Sequence, residues 1–394
     1  MLRLTTAGES HGPGITCILA GMPAGLKIDT EAIDRDLARR QGGYGRGGRM
    51  AIETDTVEVL AGVRLGLTTG APVSLFVKNR DSRLDDLEKT PELHAPRPGH
   101  ADLAGSQATG ASIRDVLERS SARETTARVA AGAVARRLLA EFGISVAGHV
   151  LRIGPASTDS APGSADECAA ADSSDVRCLD AAVAEKMRAA IDAARERGDS
   201  LGGVFEVVAS GVPAGLGSCV ESDRRLDALL AGAVMSIPAI KGVEIGRARA
   251  GAGGFAVAEL PGSEVHDEIV SDASAERAGG YARKTNRAGG IEGGVSNGMP
   301  VIVRAAMKPI PTLTKPLASV DLRTGEPVSA AKERSDVCAV PAASVVGEAV
   351  VALVLAGALM ERLGTGGLAE LKDRFESMIE RLSRPCEESD AGRG

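Results

Sequence analysis

The sequence predicts a mixed fold of strands and helices, and three observations predict it. Short apolar runs with strand character and longer runs with helical spacing alternate in blocks twice along the chain. A length of 394 residues allows one large domain or two to three ordinary ones, with room for a sizeable core. Hydrophobic residues make up 43% of the chain and aromatic ones only 2%, so that core must be built from Ala, Val, Leu and Ile.

In chain order, residues 1 to 22 open with a strand-like segment that breaks at Gly8-Glu-Ser-His-Gly12, and a second apolar run spans Ile15 to Ala20. His11 in that break faces whatever lies above the turn; a turn histidine without a role is the competing reading. Thr30 to Arg40 reads as a short helix with Ile33 and Leu37 on one face. Residues 39 to 50, RRQGGYGRGGRM, carry four arginines, five glycines and no acid. The composition is that of an arginine-glycine RNA-binding tract, but one copy between a helix and the strand-like Thr56 to Leu60 favours an ordered anion loop. Arginine suits that role because its planar fork grips phosphate or carboxylate at two points.

Val73 to Val77 is a strand candidate, and the polar connection from 80 to 95 ends at Arg97-Pro-Gly-His100-Ala-Asp102. An imidazole beside a cation and a carboxylate can give and take protons at neutral pH; a satisfied structural histidine is the alternative. Arg119-Ser-Ser-Ala-Arg-Glu-Thr125 leads into the clearest helix, with Ser121 and Glu124 at capping-box spacing, Val129, Val134 and Leu138 on one face, and Gly143 as its stop. Two serines and two arginines at a helix N-terminus bind an anion or merely cap the helix.

Gly154 to Val176 has no periodicity and reads as a solvated insertion. A helix from Asp180 to Arg197 buries Val183, Met187, Ile191 and Ala194, and Gly198-Asp-Ser-Leu-Gly-Gly203 turns into the strand Val204 to Ala209. A further helix spans about Asp223 to Ser236 and ends before Pro238 and Lys241-Gly-Val-Glu-Ile-Gly246.

The stretch from Arg283 to Thr312 sets Arg283, Lys284 and Arg287 before Gly289-Gly290, Gly293-Gly294 and Asn297-Gly298, then runs through Val301 to Val303 into Lys308-Pro-Ile-Pro-Thr312. Glycine lets amide groups approach a ligand closely while cations compensate its charge. A phosphorylated ligand along the loop and a flexible loop with solvated charges both fit. Arg334-Ser-Asp336 precedes an apolar helix from Ser344 to about Leu363, and residues 385 to 394 read as a flexible tail. The apolar run Val345 to Met360 is shorter than the roughly 20 residues a bilayer crossing needs, so a buried helix is expected.

A net charge of -7 and the scarcity of aromatics argue against a nucleic-acid partner. The six cysteines form no CxxC pair, so no metal site is expected, and they read as reduced thiols of a cytoplasmic protein. No signal peptide, membrane span, P-loop or dinucleotide fingerprint is visible. Glycine-flanked arginines and serines recur in five separated stretches, which suggests one concave cationic pocket for ligands bearing phosphates or carboxylates.

The motifs at 8–12, 97–102, 119–125, 198–203, 283–294, 308–312 and 334–336, in this order, resemble those of the chorismate synthase family over nearly the full length of the chain. The resemblance implies an α+β fold: one large β-α-β sandwich over residues 1 to 394, helices layered between antiparallel sheets, assembled as a homotetramer. It implies 1,4-anti elimination of phosphate from 5-enolpyruvylshikimate 3-phosphate to give chorismate, with reduced FMN required although there is no net redox change. By motif position His11, His100 and Asp336 are implied as catalytic. Ser10, Arg40, Arg46, Arg49, Arg97 and Arg123 are implied as substrate ligands, and Arg40 and Arg46 also as contacts to NADPH, a possible reductant. Arg119, Ser120, Ser121, Pro238, Ala239, Gly293, Lys308, Pro309, Ile310, Pro311, Thr312 and Arg334 are implied on the flavin side. Pro238 departs from the polar residue common in relatives, which leaves only backbone contacts there. A flavin reductase or binding protein that has lost the elimination, and an arginine-glycine RNA binder, are the alternatives; the first is opposed by intact His11, His100 and Asp336.

Overall fold

A computed structural model describes residues 2–47, 54–333 and 336–383. Arg49, Arg334 and the tail from 385 onward lie outside the described residues.

Two antiparallel sheets dominate. The first orders its strands Arg3–Ala7, Gly14–Ala20, Val73–Lys78 and Val57–Ala61. Pairing of Ile15 with Val77, Cys17 with Leu75 and Leu19 with Val73 puts all six side chains on one buried face, as alternation demands. The second orders Ile240–Ile245, Val301–Met307, Gly203–Ser210, Ser145–Ile153 and Ala156–Ser157. Its strand Val301–Met307 is buried on both faces, which explains why the sequence there does not alternate.

Helices pack against these sheets. Thr125–Ala140 lies on the strands Gly14–Ala20 and Val73–Lys78, with Thr30–Gln41 beside it, and on its other side runs along Val340–Leu363. The latter packs in turn on Ser145–Ile153 and Gly203–Ser210. Small residues make this close approach possible: a Cβ at Gly132 would fall 2.4 Å from the Cβ of Ala349. A core without large aromatics is thus filled by bringing backbones together rather than by filling space with rings. Val340–Leu363 is long and apolar enough to cross a membrane, but 83% of its most apolar window is buried inside the protein, as expected of a core helix.

Two expectations need correction. The stretch 154 to 176 is not simply solvated: Ala165, Cys168, Ala171 and Val176 are buried, and the short helix Ala165–Ala169 covers the outer face of the second sheet over Ala147 and Val208. Five residues are too few to show a helical period. Ser121 and Glu124 make no capping box, because Ser121 accepts from the Arg123 amide while the Glu124 carboxylate is taken by Thr6 and Arg128. The structure adds two helices of eight residues each, Asp102–Thr109 and Ile113–Ser120, not assigned from the sequence.

Candidate active site

The break between the first two strands forms because Gly8 adopts φ +113 and a Cβ there would strike the Gly14 carbonyl at 2.3 Å. The turn it opens is pinned from several sides. Asn79 donates its side-chain amide to the carbonyls of Glu9, Ser10 and Gly12, and the amides of Arg83 and Leu84 donate to the His11 carbonyl. His11 is buried, with Nδ1 2.9 Å from Glu118 Oε1, and its own amide donates to Glu118 Oε2 at 2.8 Å. Burial alone would raise the Glu118 carboxyl; the His11 ring and amide and the nearby Arg114 outweigh it and hold the group below its ordinary value.

His100 stands in a second carboxylate pair. Its Nδ1 lies 2.5 Å from Asp102 Oδ1, and the fully buried Asp102 also accepts from the amide, Nε and Nη2 of Arg97. Burial opposes ionisation of Asp102, but four donors from two residues override it and keep the carboxyl far below the usual range. Arg97 Nη1 reaches across to Thr312 Oγ1 at 2.9 Å, joining the 97–102 turn to the 308–312 segment.

A cluster of cations lines the same site as the two histidines. Arg40 is buried on the last turn of Thr30–Gln41; its Nε donates to Thr125 Oγ1 and its Nη2 to the Ala122 carbonyl, both at 2.8 Å. Burial lowers its pKa, with Arg123 and Arg46 adding to the effect against the opposing Asp55. Its Nη1 has no hydrogen-bond partner among the described residues. Arg123 donates to Asn79 and, at 2.6 Å, to Asp55. Arg46 Nη1 meets Asp336 Oδ2 at 2.6 Å, and the Gly47 amide meets Oδ1 at 2.7 Å, so Asp336 enters the site already held.

The third wall is the segment that leaves the second sheet. Ser200 Oγ donates to the Ile310 carbonyl at 2.6 Å and the Lys308 amide to the Ala239 carbonyl at 2.9 Å. A Cβ at Gly202 would fall 2.2 Å from the Met307 carbonyl, so glycine is needed for this approach. Lys308 donates to the Gly99 carbonyl, and burial with the adjacent Lys241 lowers its pKa.

These walls enclose a cavity of about 710 Å³. Of the residues expected at the site, Ser10, His11, Arg40, Arg46, Arg97, His100, Arg119, Ser120, Ser121, Arg123, Pro238, Ala239, Lys308, Ile310, Pro311, Thr312 and Asp336 line it. Seven cationic side chains (Arg40, Arg46, Arg97, Arg119, Arg123, Arg128, Lys308) face three carboxylates (Glu124, Glu333, Asp336), so the lining is electropositive inside an acidic protein. Pro309 belongs to the same wall without lining the cavity. Gly293 is not brought there: it sits in the turn between Ile291–Glu292 and Val295–Ser296, where its carbonyl accepts from Arg225.

The glycine-rich stretch is thereby corrected: of 283 to 312 only Met307 onward reaches the cavity. Arg283 pairs with Glu292 and Lys284 with Glu268, and Asp267 accepts the amides of Arg287 and Ala288, so two of the three cations and these two loop amides are spent within the protein. Sequence reasoning missed Glu118, Asp55, Asn79, Arg128 and Glu333. Glu118 precedes the Arg119 motif and Glu333 the Arg334 motif; Asp55 and Asn79 carried no local signal.

Comparison with known proteins agrees with this geometry. The family model described as chorismate synthase matches residues 2–360. A chorismate synthase of Geobacillus thermodenitrificans is 54% identical over 389 residues, covering 95% of this chain and 98% of the relative. One from Rubrobacter xylanophilus is 54% identical over 396 residues, with 98% and 99% covered. A crystal structure of chorismate synthase superposes with a TM-score of 0.78 at 42% identity, covering 97% of this chain and 98% of that one. With five of the seven motifs reaching one cavity and matches of this extent, the chain belongs to the chorismate synthase family.

Proposed function

We propose that this chain carries out the lyase reaction of its family on 5-enolpyruvylshikimate 3-phosphate. The C3–O bond to phosphate and the C6–H bond break, a new double bond forms, and chorismate, phosphate and a proton leave. The observation that carries this reading is the electropositive cavity with a histidine–carboxylate pair on each of two walls. A substrate with one phosphate and two carboxylates matches a surplus of arginine, and each imidazole stands ready to deliver or hold a proton.

The residues fit a phosphorylated flavin as well. Ser120 Oγ, on the cavity wall, is buried without a hydrogen-bond partner among the described residues, and Arg119, Ser121, Ala239 and Lys308 to Thr312 form an adjoining surface of donors and backbone. These residues would hold reduced FMN, which when bound supplies the electron density the elimination draws on and is returned unchanged. Arg40, Arg46, Arg97 and Arg123, with Ser10, would bind the substrate anions. His11 and His100 would serve as proton donors to leaving phosphate and to the flavin side, and Asp336, oriented by Arg46 and Gly47, would hold the proton taken from C6. Arg40 and Arg46 are also the place for NADPH, if the protein reduces its own flavin.

For the whole molecule we infer a single-domain β-α-β sandwich over residues 1 to 394, a homotetrameric assembly and a cytoplasmic location. The packing of Thr125–Ala140 and Val340–Leu363 between two sheets supports the first; the other two rest on family membership.

The test is anaerobic. Purified protein, chemically reduced FMN and 5-enolpyruvylshikimate 3-phosphate should release chorismate and phosphate in equal amounts, and neither with oxidised FMN. Flavin binding without product would leave a binding protein that keeps the pocket and lacks the chemistry.

A further inference from the structure

The residue that decides which face His11 turns to the cavity is none of those expected from the motifs. Glu118 lies on the helix Ile113–Ser120, 2% exposed and 107 residues from His11 in sequence. Its two oxygens meet two donors of His11 in three contacts: Nδ1 at 2.9 and 3.0 Å, and the backbone amide at 2.8 Å. The Ser10 amide donates to the Glu118 carbonyl at 3.0 Å, so helix and turn are joined by main chain and side chain together. Behind the carboxylate stands Arg114, with Nη1 3.6 Å from Oε1; Arg114 is itself fixed by the Pro91 carbonyl and by Glu333 at the cavity wall.

An ionised carboxylate only accepts hydrogen bonds. Glu118 therefore requires a proton on His11 Nδ1, whichever charge the ring carries. Nε2 is left to the other side, where Arg83 Nη2 lies at 3.4 Å and Asp81 Oδ2 at 3.9 Å. We infer that Glu118, backed by Arg114, is a positioning residue for the elimination: it fixes the Nδ1–H form of His11 and keeps Nε2 as the working nitrogen. When Nε2 also carries a proton, the same carboxylate balances the ring's charge. This rests on the proposed role of His11 and goes further by naming what sets its working nitrogen.

The geometry makes Glu118→Gln a sharp probe. The His11 amide demands an acceptor, so the Gln oxygen takes the Oε2 position, 3.0 Å from Nδ1, and its NH₂ takes the nearer Oε1 position at 2.9 Å, where a proton on Nδ1 would point at donor hydrogens. A neutral His11 then carries its proton on Nε2 instead, the wrong-tautomer situation known from triad carboxamide variants. Ring nitrogen shifts of ¹⁵N-histidine protein, with His11 assigned by its loss in His11→Ala, should place the proton on Nδ1 in the parent protein and on Nε2 in E118Q. Turnover should fall by about 10- to 100-fold, the usual scale for a partner acting through another residue, with KM changed less than about threefold. In the His11→Ala background the same substitution should cost less than about twofold, because there is no ring left to orient.

A parent protein with the proton on Nε2 alone would overturn the proposal without reference to any variant. So would an E118Q protein that keeps the Nδ1 proton, or a double variant whose loss is the product of the two single losses. If His11→Ala itself turned over normally while the ring shifts were as expected, His11 would lose its catalytic role and Glu118 with it, although the hydrogen bond stood.

Discussion

Asp55 and Arg123 form a buried ion pair at 2.6 Å, and the second Asp55 oxygen faces Arg40 Nη1 at 3.6 Å. One carboxylate thus separates two of the arginines proposed to bind substrate. Among the described residues its Oδ2 and Arg40 Nη1 are both buried without a hydrogen-bond partner, so the compensation within that set is partial and the cluster keeps an appetite for anions.

The first prediction follows from that pair. Asp55→Asn leaves two buried guanidinium groups without their shared counter-charge, which should cost about 3–5 kcal/mol of stability in the ligand-free protein. Inorganic phosphate should restore more stability to D55N than it adds to the parent, because an anion in the cavity replaces the lost charge. Urea unfolding with and without phosphate reads both; equal phosphate effects in the two proteins would show that Asp55 is not what balances the arginines.

His11 and His100 line the same cavity, each with a buried carboxylate on Nδ1. Replacing either by Ala removes a proton donor and should lower turnover by roughly 10²- to 10⁴-fold while the protein stays folded. Circular dichroism and the anaerobic assay, run on the same preparations, separate loss of chemistry from loss of fold. Turnover near that of the parent in either variant would remove that histidine from the mechanism.

Gly202 permits the close packing of the 198–203 turn against the segment carrying Lys308 to Thr312. Gly202→Ala sets a methyl group 2.2 Å from the Met307 carbonyl and 2.8 Å from Pro309 N, so the segment must shift. Because that segment forms a wall of the cavity, flavin affinity should weaken by tenfold or more, with a modest loss of stability of about 1–3 kcal/mol. Fluorescence titration with FMN checks the first and thermal unfolding the second; unchanged affinity would place the flavin elsewhere.

How much of this was legible in the sequence depends on how local each signal is. The strands Gly14–Ala20 and Val73–Lys78 and the helix Ala181–Glu196 declare themselves by period and by a glycine or proline at their ends. Most residues lining the cavity stand in compact motifs, and those motifs could be read as one site because a family resemblance joined them. What stayed hidden is the set of buried acids behind the motifs. Glu118 meets His11 across 107 positions and Asp55 meets Arg123 across 68, distances at which no spacing rule operates. The opposite error has the same cause: Arg283 and Lys284 looked available for a ligand because Glu292 and Glu268 could not be seen to claim them. Ser121 and Glu124 had the right spacing for a capping box, yet Thr6 and Arg128 offered Glu124 better partners.

A last prediction concerns acid stability and a cluster away from the cavity. Glu206 is fully buried on Gly203–Ser210, next to His149 on one neighbouring strand and Arg304 on the other, with Arg247 closing the group. Burial would raise its pKa, but Arg247, His149 and Arg304 together drive it far below the usual carboxylate range. A depressed folded value means that, below the unfolded value of about 4.3, the unfolded chain binds a proton the native state does not. The stabilisation from Glu206 is therefore complete above about pH 4.3 and lost progressively as pH falls further. Between about pH 3 and 4.3 this one group should contribute a slope approaching ~1.4 kcal/mol per pH unit to the unfolding free energy. Glu206→Gln should be less stable at neutral pH, since three cationic or ionisable partners lose their acceptor charge, and its stability should fall less steeply with acid. Urea titrations at a series of pH values measure that slope; a variant as steep as the parent would mean that Glu206 is not the group whose protonation drives acid unfolding.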